Sequence, residues 1–466
     1  MSNSKKYQMD MCHGSLFRQI FQFSLPLMGT NIMALLFHAS DLVVLGQFAS
    51  PEVRTAATAA VGATSALYIL FIIFFSGFSA GVNAIAARYI GAKDEKKVAL
   101  TVHSSIALGL YGGVVFMILG VLFSETALRW MGTPEDVLPK ATIYLQIYSI
   151  GIPFAVLYMI GAALLRAVGD TKRPLLYITV SGVANVVLNL FFVTVCKMDA
   201  AGVAIATKIS TLLSGVLILR ALCQSESALK LNFRKLCFHW ETLKEILWIG
   251  VPAGFQGALY TVSNIFIQSS VNSLGSAAMA GNAASQSLEG LINVTSSSYY
   301  QTAMSFTGQN FGGHKYKRVV KSILICLLYT VAFLMVCGGI FLIFGRQLLG
   351  LYNPDSTVID WGMERLVIMM SSYFLCGISD TITGALRGLG YSVLPTITTI
   401  MGTCVLRIVW VFTVFPGYKN LYSLIASYPV SWTLIALCNG ITLFFICRNL
   451  LKQGRIRKER SFILQR

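Results

Sequence analysis

Long apolar stretches alternate with short polar connectors along almost the whole chain. A window of about 19 residues finds twelve such stretches, at 17–47, 59–88, 98–123, 141–165, 174–195 and 201–222, and then at 243–272, 277–307, 319–345, 362–386, 393–416 and 420–447. Each stretch is long enough to cross a hydrocarbon core of about 30 Å as an α-helix. The pattern therefore predicts an all-α polytopic membrane protein with twelve transmembrane spans.

The composition excludes a soluble protein. Apolar residues make up 55% of the 466 positions and charged residues only 12%, whereas a soluble domain carries about 25% charged residues. The net charge of +17 does not indicate nucleic-acid binding, because Lys and Arg cluster in the short connectors, as in the positive-inside pattern of membrane proteins. We therefore expect the lipid bilayer as a partner and no nucleic acid. The polar first ten residues and the long first span argue against a cleavable signal peptide.

The basic residues also predict the orientation. With the N-terminus inside, most Lys and Arg fall in cytoplasmic segments, and the outer connectors receive only a few, namely Arg54, Arg129, Lys140, Lys197, Arg346, Arg365 and Lys419. This bias requires an even number of spans and places both termini in the cytoplasm. We expect a multi-pass protein of the plasma membrane, which in a bacterium is the cytoplasmic membrane.

The second half of the chain repeats the first. The motif L-R-x-x-G-x4-P at 165–174 recurs 221 residues later at 386–395, at the end of the fourth span of each half. Because equivalent elements share one orientation, the repeat predicts two pseudo-symmetric six-helix lobes around a central cavity. The predicted domains are an N-terminal lobe (1–223), a cytoplasmic linker (224–241), a C-terminal lobe (242–448) and a basic cytoplasmic tail (449–466).

The repeated glycines and prolines have simple structural interpretations. Gly169 and Gly390 follow the end of a span, where glycine commonly ends a helix. Pro26 and Pro252 lie inside the first span of each half and predict a kink, which could be static or could move during transport.

Three carboxylates fall inside predicted spans: Asp41 in span 1, Glu289 in span 8 and Asp380 in span 10. A carboxylate at the centre of a bilayer costs about 2.5–3.5 kcal/mol on insertion scales. Such a group persists when it faces a cavity, binds a cation or carries a proton. The alternative is a structural ion pair with Lys208 or Arg407, the two basic residues that we place inside spans, although Lys208 also lies close enough to the start of its span to reach the interface.

Span 5 carries a pair of amides, Asn185 and Asn189, four residues apart on one helical face. Amides inside a membrane commonly form hydrogen bonds between helices. They could equally supply oxygen atoms to Na⁺ or orient Asp41.

No sequence pattern indicates catalysis. The chain lacks the G-x-x-x-x-G-K-[ST] loop that binds nucleotide phosphates, and its His and Cys residues show no metal-ligand spacing. We therefore expect no enzyme, no cofactor, and no metal beyond a transported Na⁺ at Asp41 or Asp380. The remaining energy source for transport is a gradient of H⁺ or Na⁺.

Several motifs together resemble the MATE (multidrug and toxic compound extrusion) family along nearly the whole chain. In the first half they are V-V-L-G after Asp41, A-A-V-G at 59–62, G-A-K-D-E-K-K at 91–97, L-R-x-x-G-D-T-K-R-P at 165–174 and G-V-A-I-A-T at 202–207. In the second half they are G-Q-N-F-G-G at 308–313, A-L-R-G-L-G at 385–390 and L-R-I-V-W at 406–410. Each motif is weak alone, but their order and spacing are specific.

The resemblance implies a V-shaped pair of lobes that exports substrates in exchange for H⁺ or Na⁺. Asp41 matches the carboxylate that the family uses for cation coupling, and Asn185 and Thr207 match its polar partners. Asn189 stands where many members have a second Asp, so this chain has less negative charge at that site.

The resemblance extends in part to the second half. Asp380 is similar to the span-10 Asp of a C-lobe cation site in some branches. Glu289 is in span 8, whereas the family acid paired with that site is in span 7, so its coupling role rests on the cost of burial.

These observations predict an antiporter that exports lipophilic or cationic small molecules, including drugs. Candidate cavity-lining residues are Tyr68, Gln256, Tyr260, Asn264 and Gln286. Organic cations are the expected substrates, and a monomer is expected because the internal repeat makes one chain sufficient. The alternatives are a flippase for a lipid-linked saccharide, an exporter of one specific metabolite, and a membrane scaffold or sensor without transport. A flippase needs a strongly cationic cavity, and only Lys208 and Arg407 are predicted within spans.

Overall fold

The computed structural model describes residues 7–48, 51–135, 137–198 and 200–463, and every regular element within these ranges is helical. Within these ranges, the structure describes the backbone but not the side chains of residues 38, 42, 45–48, 51–63, 65–68, 200 and 455–463. The first half forms α1 (Leu16–Phe48), α2 (Pro51–Gly91), α3 (Glu95–Trp130), α4 (Leu138–Ile150), α5 (Ile152–Ala167), α6 (Lys172–Leu190), a π-helical segment (Phe191–Val195) and α7 (Ala200–Cys223). A short 3-10 helix, Phe233–Lys235, follows.

The second half contains more and shorter helices. They are α8 (Trp240–Asn272), α9 (Ser276–Gly312), α10 (Tyr316–Ile343), α11 (Gly345–Gly350), α12 (Ser356–Gly388), α13 (Val393–Thr399), a π-helical segment (Ile400–Val405), α14 (Leu406–Thr413), α15 (Phe415–Tyr418), α16 (Leu421–Ile425) and α17 (Ser427–Ile463).

The helices confirm an all-α polytopic membrane protein. Within the described residues, ten helical stretches are long and apolar enough to cross a bilayer. The predicted spans 7 and 8 form α8 and α9, with 33 and 37 residues, or about 50 and about 55 Å at 1.5 Å per residue. These two helices are long enough to span a bilayer, but they carry more polar side chains than the ten apolar stretches, among them Gln256 and Glu289.

Several predicted spans differ from single straight helices. Span 4 is divided into α4 and α5 at Gly151, because Pro153 has no N–H to continue the hydrogen-bond ladder. Span 11 is divided by the π-helical segment Ile400–Val405. The predicted second span, 59–88, begins earlier in the structure, since α2 already starts at Pro51, a position where proline is well tolerated. The predicted tail continues α17 as far as Ile463.

Hydrogen bonds reproduce the 221-residue repeat. Arg166 Nη2 donates to Ser79 Oγ over 3.4 Å, and Arg387 Nη1 donates to the Tyr300 hydroxyl over 2.6 Å. Both members of the second pair lie 221 residues after those of the first.

The repeated glycines occupy equivalent backbone positions. Gly169 (φ +85°) and Gly390 (φ +93°) follow the ends of α5 and α12 in the left-handed region, which glycine adopts without a steric penalty. This geometry agrees with the prediction that each glycine ends a helix.

The chain divides into two compact units. Unit 1 comprises Met1–Met9, Gly29–Ala86 and Asp94–Gly250, and unit 2 comprises Asp10–Met28, Ala87–Lys93 and Val251–Arg466. Helices α1 and α8 are therefore each shared, and both change unit close to their internal proline, Pro26 or Pro252. The domain boundaries predicted from span order stay a prediction.

Candidate functional site

Asp41 is part of a closed ring of hydrogen bonds in unit 1. Asn189 Nδ2 donates to Asp41 Oδ1 over 2.6 Å, and Thr207 Oγ1 donates to Asp41 Oδ2 over 3.1 Å. Asn189 Nδ2 also donates to Asn185 Oδ1, and Asn185 Nδ2 donates to Thr207 Oγ1, both over 3.2 Å. Asp41 is 9% exposed and Asn189 is fully buried. The structure thus brings together four residues that the sequence singled out.

Three helices position this ring. Asp41 lies on α1, the two asparagines lie on α6 and Thr207 lies on α7. The four-residue spacing puts both amides on one face of α6, so each can contact the other and a neighbouring helix. The π-helical segment Phe191–Val195 begins two residues after Asn189, and π-helical turns are frequent at functional sites.

A cavity of about 220 Å³ adjoins the ring, lined by Asp41, Asn185 and Thr207 together with apolar side chains such as Phe37 and Met159. One water occupies about 30 Å³ of liquid, so the volume is sufficient for several waters or a partly hydrated ion. Pockets for drug-sized ligands usually measure about 300–1,000 Å³. The size and polarity of this cavity therefore suit a small cation or a proton pathway better than a whole drug molecule.

Lys208, the residue after Thr207, points into unit 1. It is 8% exposed, and its Nζ lies 3.5 Å from the centre of the Tyr148 ring, which stacks on Tyr144 with centroids 4.5 Å apart. Lys208 is therefore buried beside aromatic rings and does not extend along the protein surface. A Cβ on Gly151 would lie 2.1 Å from Lys208 Cδ, so the glycine between α4 and α5 leaves space for the lysine side chain.

Asp380 occupies a different setting, in unit 2. Ser296 Oγ on α9 donates to Asp380 Oδ2 over 2.6 Å, and Cys376 Sγ lies 3.9 Å from the same oxygen. Asp380 also interacts electrostatically with Arg387, which is 5% exposed and lies farther along α12. Its surroundings thus combine one hydroxyl donor with one nearby cation.

Glu289 forms a buried ion pair. Arg365 donates from Nε to Glu289 Oε1 over 2.6 Å and from Nη2 to Oε2 over 2.8 Å. Arg365 Nη1 donates to Asn282 Oδ1 over 2.9 Å, and Ser285 Oγ donates to Glu289 Oε1 over 3.4 Å. The structural pairing considered for Glu289 is therefore present, with Arg365 in place of Lys208 or Arg407. The coupling role of Glu289 stays a prediction.

The predicted position of Arg365 is wrong. It was expected in an outer connector, but it lies inside α12 and is 2% exposed. The statement that only Lys208 and Arg407 lie within spans is also wrong, since Arg387 is buried in α12 as well. The signal that could have identified Arg365 is Glu289 itself, because a buried carboxylate needs a partner.

Arg407 is held by a hydroxyl and an aromatic ring. Its Nε and Nη2 donate to Ser431 Oγ over 3.1 and 3.0 Å, and its guanidinium carbon lies 3.9 Å from the centre of the Tyr428 ring. Across the part of the chain that the structure describes, no carboxylate pairs with it. The structural contacts of Arg407 are therefore a hydroxyl and a cation–π contact instead of the carboxylate partner that was considered.

Two of the candidate cavity residues of the second half, Gln256 and Tyr260, contact buried arginines. Gln256 Oε1 accepts a hydrogen bond of 2.8 Å from Arg387, and Asn264 Oδ1 accepts one of 3.4 Å from the Tyr428 hydroxyl. The Tyr260 ring centre lies 5.6 Å from the guanidinium carbon of Arg407. Gln286 is exposed. The side chain of Tyr68 lies outside the described residues.

Comparison with known proteins identifies the family. A family model described as MatE matches residues 26–191 and 252–413, which together make up more than half of the chain. The chain belongs to the MatE family. The two matches begin at Pro26 and Pro252 and each cover five consecutive spans, so the family unit occurs once in each half of this MatE protein. The resemblance predicted from the motifs is confirmed.

Two relatives of this MatE protein come from bacteria. It is 28% identical over 416 residues, or 88% of its length and 92% of the relative's, to the probable multidrug resistance protein YpnP of Bacillus subtilis. It is 22% identical over 432 residues, or 93% of its length and 94% of the relative's, to the multidrug export protein MepA of Staphylococcus saprophyticus.

Solved structures show the same fold. A crystal structure of a MATE protein in the bent conformation matches with a TM-score of 0.88 at 19% identity, covering 98% of this chain and 100% of the other. Together with the family match and the two relatives, this fold identifies the MatE protein as a multi-span membrane transporter. The relatives are consistent with the cytoplasmic membrane as its location.

Proposed function

We propose that this MatE protein is an antiporter that exports lipophilic organic cations, with Asp41 as the residue that binds the coupling ion. The observation that carries the proposal is the position of the Asp41 carboxylate, which is buried, held by Asn189 and Thr207, and open to a cavity of about 220 Å³. A carboxylate inside a membrane span is costly unless it serves a transported ion or a partner charge.

The ring around Asp41 gives the coupling ion a defined effect. When Asp41 is ionised, its two oxygens accept hydrogen bonds from α6 and α7. Binding of H⁺ or Na⁺ removes or redirects these acceptors, so it changes the hydrogen bonds that hold three helices together. Coupling requires that the ion bind one conformation of the transporter more tightly than the other. Asp380, held by Ser296, is a second candidate of the same kind in unit 2.

The proposed substrate class rests on the relatives. YpnP and MepA are named as multidrug resistance and multidrug export proteins. The rings of Tyr260 and Tyr428 in unit 2 face Arg407, so they add no argument for a cationic substrate.

One observation favours a second candidate, an anionic substrate such as a lipid-linked saccharide. Unit 2 buries Arg365, Arg387 and Arg407 inside its helices, two more cations than the sequence predicted there. Glu289 neutralises Arg365 through a direct ion pair, which leaves Arg387 and Arg407 as the positive charges that an acidic group would contact. This candidate is tested by the same assay with an anionic lipid-linked substrate in place of a cationic dye.

The test is efflux of ethidium from proteoliposomes that contain the purified protein and carry an imposed pH gradient or Na⁺ gradient. We expect one of the gradients to drive ethidium transport in the wild type and Asp41→Asn to abolish it. A matched control is Asp360→Asn, because Asp360 is an exposed carboxylate paired with Arg346. Gradient-driven efflux that persists in a folded Asp41→Asn variant would refute the central role of Asp41.

A further inference from the structure

The ring around Asp41 contains one acceptor without a donor. Asn189 uses its Nδ2 for both Asp41 and Asn185, and within the described residues its buried Oδ1 has no hydrogen-bond partner. An amide can turn about its last torsion and exchange the positions of N and O. The side chain facing Asp41 is therefore able to act either as a donor or as an acceptor.

A buried basic side chain lies beside this ring. Lys208 follows Thr207 directly on α7, its ammonium lies over Tyr148, and it interacts electrostatically with the Asp41 carboxylate. Tyr148 itself interacts with both Asp41 and Thr207. Neither the family match nor the relatives assign a role to this lysine.

We propose that Lys208 is a specificity-determining residue: its ammonium occupies the place of a bound cation next to Asp41, so that the site takes H⁺ and rejects Na⁺. This inference rests on the proposed function, because it concerns the ion that Asp41 couples to.

Charge explains why Na⁺ is disfavoured. Sodium bound at Asp41 would keep its full positive charge close to the Lys208 ammonium, and like charges repel strongly where water is largely excluded. The site also lacks a second carboxylate to offset this repulsion, since Asp41 is the only acid among the described residues that line the cavity. A proton adds the same net charge, but it is held in a covalent O–H bond on the carboxyl itself, so it needs neither space beside the ammonium nor further oxygen ligands.

Hydrogen bonding favours the proton for a separate reason. Asn189 Nδ2 lies between Asp41 Oδ1 and Asn185 Oδ1, the two oxygens that would have to close on a sodium ion. A protonated Asp41 needs one acceptor, which the unpartnered Asn189 Oδ1 supplies after the amide turns over. The amide therefore accommodates both protonation states of Asp41 without another ligand.

Among the side chains that the structure describes, the titratable groups that face Asp41 are Lys208 on α7, Tyr148 and Tyr144 on α4, and Tyr158 on α5, which lines the cavity. Tyrosines stay neutral near neutral pH, so the pH dependence of transport would reflect the Asp41–Lys208 pair.

The first test uses the wild type in proteoliposomes, with ethidium efflux driven by a pH gradient or by a Na⁺ gradient at equal pH on both sides. We expect the pH gradient to drive efflux and the Na⁺ gradient to have no effect. Efflux driven equally well by the Na⁺ gradient would overturn the proposal. This test uses only the wild-type protein.

The second test changes the lysine. We expect Lys208→Met to make efflux responsive to the Na⁺ gradient, with roughly tenfold tighter Na⁺ binding or more, and Lys208→Arg to keep the wild-type preference. The control is Lys197→Met, an exposed lysine near the start of the same helix. If Lys208→Met does not fold, Gly151→Ala replaces it, because the added Cβ would lie 2.1 Å from Lys208 Cδ and push the ammonium aside.

The outcomes separate this inference from the proposed function. Loss of all efflux in Asp41→Asn, together with no gain of Na⁺ response in Lys208→Met or Gly151→Ala, would refute the role of Lys208 and leave Asp41 as the coupling residue. Normal efflux in Asp41→Asn would instead refute the proposed function.

Discussion

Arg365 on α12 and Glu289 on α9 form two nearly parallel hydrogen bonds, and both side chains are buried within unit 2. Removing one partner of a buried pair leaves an uncompensated charge, which typically costs about 3–5 kcal/mol. We expect Glu289→Gln and Arg365→Met each to lower the thermal stability of the detergent-solubilised protein strongly. The double variant should recover most of the loss, because no buried charge is left alone.

Thermal unfolding followed by size-exclusion chromatography measures this pattern. A Glu289→Gln variant that is as stable as the wild type but no longer transports would contradict the structural role and favour the coupling role predicted from the sequence.

Thr207 tests the ring around Asp41. The Thr207 hydroxyl contacts Asp41 Oδ2 and also the Val203 carbonyl, over 3.1 and 2.8 Å. We expect Thr207→Val, which keeps the shape but removes the hydroxyl, to reduce gradient-driven efflux by about tenfold, the effect of losing a hydrogen bond of about 1.5 kcal/mol to a charged group. The control is Thr211→Val one turn later, because Thr211 also lines the cavity but donates to the Thr207 carbonyl. Equal effects of the two variants would argue against a specific contribution of Thr207.

Gly91 and Gly312, which the repeat aligns, make two very close backbone contacts within unit 2. A Cβ on Gly91 would lie 1.9 Å from the carbonyl oxygen of Gln309, and one on Gly312 would lie 1.9 Å from that of Arg88. We expect Gly91→Ala and Gly312→Ala each to cost at least about 1–3 kcal/mol, because backbone must move to relieve the overlap. Thermal unfolding measures the loss. Gly339→Ala, where no atom lies within 4 Å, should be neutral, and a comparable loss there would exclude this explanation.

Asp170, in the connector between α5 and α6, gives a pH-dependent prediction. Burial raises the pKa of the Asp170 carboxyl above its ordinary value of 3.8, although the ion pair with Arg173 acts in the opposite direction. The folded state therefore favours the protonated form. The stability that this group contributes is complete below its unfolded pKa and is lost as the pH rises through its folded pKa.

Asp170→Asn removes that titration and keeps the shape. The melting temperature of the variant relative to the wild type should therefore rise as the pH increases from about 3.8 and level off above the folded pKa. A relative decrease over the same range would mean that the Arg173 ion pair outweighs burial. Thermal unfolding over a pH series decides between these outcomes.

The residues alone singled out three members of the Asp41 ring, and the family resemblance added Thr207, but neither predicted the neighbouring lysine. A carboxylate in a span and two amides four residues apart are local features, and their burial cost and helical period point to one site. The direction of the Lys208 side chain depends on Gly151, a residue distant in the chain, whose missing Cβ leaves space between α4 and α5. Hydropathy does not contain that information.

The Glu289–Arg365 pair could not be predicted for a related reason. Arg365 lies near the edge of an apolar stretch, where an arginine can extend to the interface instead. The packing of α9 against α12 decides which alternative occurs, because it aligns Asn282, Glu289 and Arg365. That packing connects residues 76 or more positions apart in the chain.

The two π-helical segments break the symmetry between the halves. Each α-helical residue advances the chain by about 100° around the helix axis, and a π-helical turn holds an extra residue, so it shifts the angular phase of everything beyond it. In span 5 the π-helical segment Phe191–Val195 follows Asn185 and Asn189. In span 11 the π-helical segment Ile400–Val405 precedes Arg407. The stretch from 406 to 410, which the repeat aligns with Asn185 and Asn189, therefore presents a rotated set of side chains. A one-residue deletion inside either segment would undo that rotation without shortening a connector, and so would turn one half of the span relative to the other.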